Sequence, residues 1–392
     1  MSEKKENLVL IIAGEASADL HGSNLVMALR KMAPEIGFRG IGGEQMRAAG
    51  VDILIPSADM AVVGLTEVFA KLPTIAKAFF RLKAVLKHQR PDLLILIDYP
   101  DFNIHLARSA KRLGIPVLYY ISPQVWAWRK GRVKKLAARV DQMAVILPFE
   151  ESFYRKHGLT VDYVGHPILD AVPAPCSRSE AIGKLGLEGA NPVLGLLPGS
   201  RRDEVNNLLP LMVKAAGLLA SRCPDLKCVL PVASTISPDL VQSMTAKACP
   251  EIKLTHQGVY QALAACDLAF VASGTATLET AMMEVPMIVT YRVSPISYRI
   301  GKMVIRVPHI ALVNLVAGEE IVPEIIQDEV TPERLAEEAM ALLAPGRKRE
   351  KMIKQMRAVK ERLGKGGASE KTARIALQMI RGKNGKDHIS RR

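Results

Sequence analysis

Residues Leu93–Asn103 read LLILIDYPDFN, five unbroken apolar residues from Leu93 to Ile97 followed by two carboxylates, Asp98 and Asp101. So short and so apolar a run suits a strand buried on both faces of a parallel sheet. Ligands of such sheets sit just beyond the carboxyl ends of the strands. The two acids therefore stand where chemistry is expected. Asp101 leads into FNIHLARSAKRLG and reads as the cap of the next helix, which leaves the functional role to Asp98, held by the stiff Tyr99–Pro100 turn.

Outward from this stretch, the pattern repeats. LVLIIAG, FRGIGG, VDILI, PVLYYIS, QMAVILP and VDYVGHP read as strands, separated by helical segments that include one from about Val68 to Arg90. Alternation of this kind predicts an α/β fold with helices on both faces of a parallel sheet. A stretch rich in Pro, Gly and Ala, residues 171–192, reads as a linker. A second series follows with VLGLLPG, KCVLPVA, IKLTH, LAFVAS and PMIVTY, the last clear strand. The expectation is two Rossmann-like doubly wound domains facing across a cleft, residues 1–170 and 193–360, followed by a basic helical tail over 361–392.

At 392 residues the chain exceeds what one core usually serves, which favours two domains. Fifty-three basic against 39 acidic residues, a formal charge of +14, call for an anionic partner. With aromatics at only 5% and no recognition motif, that partner is not expected to be nucleic acid. The polar start MSEKKEN predicts no secretory leader, and no apolar run is long enough to span a bilayer. The 5 cysteines form neither a metal-ligand pattern nor a disulfide framework, as in a reduced cytoplasmic protein.

Two turns have the form of phosphate sites. In LLPGSRRDEV, Gly199 turns the chain, Ser200 is placed to cap a helix with Asp203 completing a capping box, and Arg201 adds a forked cation. In FVASGTATLETAM, Ser273, Gly274, Thr275 and Ala276 offer backbone amides, and Glu279 can accept the hydroxyls of a ribose. Each alone is also what a well-capped helix looks like. Together they point to a nucleotide diphosphate held without a P-loop, because no GxxxxGK[ST] occurs. GIGGEQM lacks the third glycine of a dinucleotide fingerprint, which argues against a dehydrogenase. The matching turn of the first half, IIAGEASADLHGS, sets Gly14, Glu15, Ser17 and Asp19 along the sheet edge, either as ligand-binding groups or as an ordinary strand–helix connection. Between Met60 and Leu72, Val62, Val63, Leu65, Val68, Phe69 and Leu72 exceed what one buried stripe needs, beside Lys71 and Lys77. Such an excess fits an acyl-chain cleft or a membrane-contacting patch. Phe79, Leu82 and Leu86 read as core.

These blocks, with VVGLTEV, ISPQVWAWRKGRV, LPFE, VGHPILD and VNLVAGEEIVPEIIQ, resemble the lipid-A-disaccharide synthase family in order, to about residue 380. Ala18 stands where the family pattern has glycine. The resemblance implies a glycosyltransferase of the B architecture, acting without a metal or cofactor at the inner face of the cytoplasmic membrane. It implies transfer of diacylglucosamine from UDP to the 6-hydroxyl of diacylglucosamine 1-phosphate by inversion. Asp98 would be the base and Arg201, with the turn amides, would stabilise the departing diphosphate. It further implies that Glu279 holds the UDP ribose, that Asn314 orders the donor side, and that the final helix returns to the first domain. The +14 charge would favour an anionic membrane surface, and the basic tail leaves a homodimer open. A UDP-sugar 2-epimerase of the same architecture is the first rival, and a non-catalytic nucleotide or lipid carrier the second.

Overall fold

Two parallel sheets organise the chain. The computed structural model describes residues 7–60, 65–127, 131–172, 176–304 and 307–389; at 16, 65–70, 296, 297, 300, 304 and 383–389 it describes the backbone alone. The contacts divide into a first unit, Met1–Asp170 with Lys365–Arg392, and a second, Ala171–Gly364.

In the first unit seven strands run β1 (Leu8–Ala13), β2 (Gly37–Gly42), β3 (Asp52–Pro56), β4 (Leu93–Ile97), β5 (Val117–Tyr120), β6 (Gln142–Val145) and β7 (Val161–Tyr163). Their order across the sheet is β3-β2-β1-β4-β5-β6-β7, all parallel. Alternate residues of β1 and β4 feed opposite layers. Leu10, Ile12, Leu94 and Leu96 join one core, while Val9, Ile11, Leu93, Ile95 and Ile97 join the other. The second layer also takes Ala368, Ala373, Ala376 and Ile380 of the C-terminal helix Ala368–Ile389, so this helix is part of the first unit's core. Asp170 fastens its start by accepting the amides of Gly367 at 2.6 Å and Ala368 at 3.2 Å.

The second unit holds β8 (Val193–Leu197), β9 (Lys227–Pro231), β10 (Ile252–Thr255), β11 (Leu268–Ala272), β12 (Met287–Tyr291) and β13 (Glu324–Ile326), in the order β10-β9-β8-β11-β12-β13. The final strand lies beyond PMIVTY and is only three residues long, too short for an alternation signal. Residues 171–192 are not an open linker. The helix Arg178–Leu185 is capped by Ser177 and Glu180 and buries Ala181 and Leu185.

A shared device starts the strands of both units. An aspartate preceding one strand accepts the first amide of its neighbour: Leu8 N donates to Asp92 Oδ2 at 2.9 Å, Val117 N to Asp141 Oδ2 at 3.0 Å, and Val193 N to Asp267 Oδ2 at 2.8 Å. Each carboxylate satisfies a donor at the sheet margin that would otherwise lack a partner. In both sheets the order reverses beside the first strand, between β1 and β4 and between β8 and β11. Ligands of open α/β sheets bind at such switch points. The loops that follow β1, β4, β8 and β11 are therefore the places to look.

Candidate active site

Asp98 directly follows β4 at the switch point and is half-exposed. Asp98 and Tyr99 have φ of 45° and 48°, two consecutive left-handed residues without a glycine. Such a conformation costs on the order of 1–3 kcal/mol per residue and persists only where the surroundings enforce it. Here they do so from several directions. Asp98 N donates to Ile121 O at 3.3 Å, and its carbonyl accepts from Asn103 Nδ2 at 2.7 Å and from the Tyr119 hydroxyl. The Tyr99 hydroxyl donates to Met60 O at 3.0 Å. Burial, and next the charge of Asp98, hold the Tyr119 hydroxyl well above the usual range, so it remains a donor.

Gly14 is required by sterics. A Cβ at this position would lie 2.8 Å from the Tyr99 ring, so the ring closes over the β1 turn only because residue 14 has no side chain. Glu15 and Ser17 are exposed at the same edge, and Glu15 is near enough to raise the Tyr99 hydroxyl, after burial. Ala18 lies within the helix Ala16–Met32, 2% exposed in the core, where its methyl is accommodated.

Two expectations for this edge are corrected. Asp19 is 5% exposed and its carboxylate accepts the amides of Gly43 at 2.6 Å, Gln45 at 3.1 Å and Met46 at 3.1 Å, capping the short helix after β2. With both oxygens committed to backbone, it is no longer assigned to substrate. Asp101 does not cap the helix Pro100–Arg112, whose N-cap is Tyr99. It lies in the first turn and pairs with Arg132.

In the second unit Gly199 has φ of +111°, and a Cβ there would collide with the Glu204 carboxylate. Helix Arg202–Ala220 has Arg201, not Ser200, as its N-cap, and Glu204 rather than Asp203 reaches back. Glu204 Oε2 accepts the amides of Ser200 at 3.1 Å and Arg201 at 3.3 Å, while Oε1 lies 3.3 Å from the Arg201 guanidinium. An internal carboxylate thus already holds the amides foreseen for phosphate. The Arg201 side chain is 70% exposed. Tyr291, at the end of β12, feels both Glu204 and Arg201, which brings the pair to the sheet's carboxyl edge.

At the β11 turn, Ser273 is spent internally, its amide on Thr290 O at 2.9 Å and its hydroxyl on Ile310 O at 3.0 Å. Beyond it, open space surrounds the Cβ position of Gly274. Among the described residues neither the Thr275 nor the Ala276 amide finds an acceptor, so the first turn of the helix Thr275–Met282 presents donors and the positive dipole end. Glu279 is half-buried on this helix, and burial raises its carboxyl above the ordinary range. Tyr260 is near enough to feel that charge, and its buried hydroxyl has no partner among the described residues.

The Asn314 side chain is spent on protein groups. It is 0% exposed, donating to Val322 O at 2.9 Å and Glu324 Oε1 at 2.8 Å and accepting from the amides of Ile321 at 2.9 Å and Val322 at 3.1 Å. Glu324 in turn accepts the amides of Ile310 at 2.8 Å and Ala311 at 3.1 Å, and Ile310 O receives Ser273. Asn314 therefore positions the β11 turn through two intermediates. The sequence names Tyr99 only as part of the turn that holds Asp98, and it gives no sign of Asn103, Tyr119, Tyr260 or Glu324. A tyrosine next to an aspartate at a strand end was the one local signal available.

Helix Leu65–Gln89 buries Ala78, Leu82 and Leu86 and packs Ile75 and Phe79 against the same core. It leaves Leu72 48% and Phe80 66% exposed, with the Lys83 ammonium 6.0 Å from the Phe80 ring centroid. Val62 and Val63 lie outside the described residues, as do the side chains of Leu65, Val68 and Phe69. Among the described residues no helix is long and apolar enough to cross a membrane.

Two doubly wound parallel α/β units are the fold of B-architecture glycosyltransferases and of UDP-sugar epimerases. Solved structures of similar fold include the Staphylococcus aureus MnaA–UDP co-structure (TM-score 0.64, 14% identity, 95% of this chain and 97% of that one). Others are a Neisseria meningitidis UDP-GlcNAc 2-epimerase bound to UDP-GlcNAc (0.62, 13%, 95% and 100%) and CalG4, the calicheamicin glycosyltransferase (0.60, 15%, 96% and 98%). At these identities the likeness concerns fold alone. A family model described as Lipid-A-disaccharide synthetase matches residues 9–379. Proteins named lipid-A-disaccharide synthase are 51% identical in Syntrophus aciditrophicus, covering 95% of this chain and 98% of the relative, and 47% identical in Geobacter sulfurreducens, covering 97% and 99%. The chain belongs to the lipid-A-disaccharide synthase family and is a glycosyltransferase. The epimerase reading is left with a distant likeness of fold.

Proposed function

We propose that the enzyme moves 2,3-diacylglucosamine from UDP to the 6-hydroxyl of 2,3-diacylglucosamine 1-phosphate, giving the acylated disaccharide 1-phosphate and UDP. The observation that carries this reading is the family match over residues 9–379. Inverting displacement demands a base at the attacking hydroxyl and positive charge at the departing diphosphate. Asp98, fixed at the end of β4, is the base. Arg201 and the amides of Thr275 and Ala276 take the diphosphate, and Glu279 accepts the ribose hydroxyls. The Ser200 and Arg201 amides join only when Glu204 withdraws from them. Glu15 and Ser17 are assigned to the acceptor.

Leu72 and Phe80, exposed among Lys77, Arg81 and Lys83, are assigned to acyl chains at an anionic bilayer surface. Positive charge around an apolar patch suits peripheral attachment at the inner face of the cytoplasmic membrane. The experiment is mass spectrometry of products after incubation with both diacylated sugars. The expected product has the mass of the acylated disaccharide 1-phosphate, with UDP released only when acceptor is present. UDP release without acceptor, or an isomerised donor, would overturn the reading.

A further inference from the structure

We infer that Glu150 is a positioning residue for Asp98, acting through the loop 121–127; the inference rests on the reading of Asp98 as base. Glu150 is 1% exposed and lies in the first turn of the helix Pro148–Arg155 that follows β6. Its Oε1 accepts the Ser122 hydroxyl at 2.5 Å and the Trp126 indole N–H at 2.9 Å, and its Oε2 accepts Leu147 N at 3.0 Å. Two side chains of the loop after β5 are thus held by one buried carboxylate. The Tyr154 hydroxyl adds a bond to Pro123 O at 2.7 Å, and Trp126 stands edge-on to Phe149 with ring centroids 4.8 Å apart.

The loop's first residue reaches Asp98. Ile121 has φ of +60°, costly for a β-branched residue, and its carbonyl accepts the Asp98 amide at 3.3 Å. The carboxylate holds Ser122, Ser122 adjoins Ile121, and Ile121 fixes the strained backbone that carries the base. Glu150 also closes the start of its own helix by accepting Leu147 N, but that bond uses Oε2 alone; Oε1 is given to Ser122 and Trp126 of the loop after β5.

Burial pushes the Glu150 carboxyl up to about 7, against the opposing effect of its donors. Among the described residues, the titratable groups that feel its charge are Tyr154, from its own helix, and Tyr163, from β7; both stay protonated, Tyr163 being pushed up to about 12. Below pH 7 a protonated Glu150 loses one acceptor and the loop loses an anchor. The activity carried by ionised Glu150 is therefore present above about pH 7 and lost as pH falls through it.

The test is kcat and KM of Glu150→Gln, Ser122→Ala and Asp98→Asn between pH 5.5 and 9. Glu150→Gln should lower kcat at high pH by about 10- to 100-fold, the scale of a slightly misplaced catalytic group, leave KM for the UDP-sugar within about 2-fold, and abolish the acid limb near neutrality. Ser122→Ala removes a donor that favours the ionised form, so it should move that limb to higher pH, and it serves if Glu150→Gln does not fold. An unmoved limb in Ser122→Ala, or wild-type kcat in Glu150→Gln beside an inactive Asp98→Asn, would overturn the inference alone. Wild-type turnover in Asp98→Asn would overturn the base assignment and this inference with it.

Discussion

The first unit's switch point is made of side chains on strained backbone, whereas the second unit's is made of backbone amides with a cation beside them. After β4 come Asp98 and Tyr99, both left-handed and braced by Ile121, Asn103 and Tyr119. After β11 come Gly274 and the amides of Thr275 and Ala276, which find no acceptor among the described residues, with Ser273 tied down behind them. The two sheets share a strand order around the reversal and the same aspartate device at their strand starts. The common scaffold decides where groups are presented; the few residues after each strand decide whether a carboxylate or a row of backbone amides is presented. Glycine illustrates the difference. Gly14 is needed for the close approach of an aromatic ring, and Gly199 for its positive φ.

That contrast can be broken at the amide side first. Arg201→Ala should reduce kcat by about 100-fold or more, the scale of losing one charge-stabilising donor at a developing anion. Stopped assays of UDP release would show it, and a change under about 3-fold would leave Arg201 a surface partner of Glu204. Asp19→Ala addresses stability rather than chemistry. It strands the amides of Gly43, Gln45 and Met46 and should cost about 1–3 kcal/mol, read as a lowered denaturation midpoint with KM little changed. A variant as stable as wild type but unable to use acceptor would return Asp19 to the site. The smallest effect on chemistry is expected from Leu72→Ser with Phe80→Ser. Turnover of detergent-dispersed substrates should stay within about 2-fold, while partition onto anionic vesicles weakens, because roughly 25 cal/mol is lost per Å² of apolar contact. Unchanged partition would remove the membrane role of this face.

Much of this was legible in the sequence because the signals were local. Leu93–Ile97 announced a strand buried on both faces, and the residues after β4, β8 and β11 could be named from the turns alone. What was not legible depended on partners far along the chain. Asp19 looks like a ligand-facing acid until Gly43, 24 residues on, is seen to donate to it. Ser122 and Glu150 are separated by 28 residues, and no local pattern marks a glutamate in LPFE as buried. Ser200 and Glu204 show the opposite failure: the capping pattern was visible, but its register was off by one, which decided whose amides were occupied.

The central claim is that Asp98 takes the proton of the attacking hydroxyl. Asp98→Asn keeps the shape of the side chain and removes its basicity, so product formation by mass spectrometry, paired with calorimetric UDP binding, tests it most directly. Disaccharide formation should fall by at least about 1,000-fold with UDP affinity unchanged, within the range that a general base contributes. Turnover near the wild-type rate with intact UDP binding would contradict it.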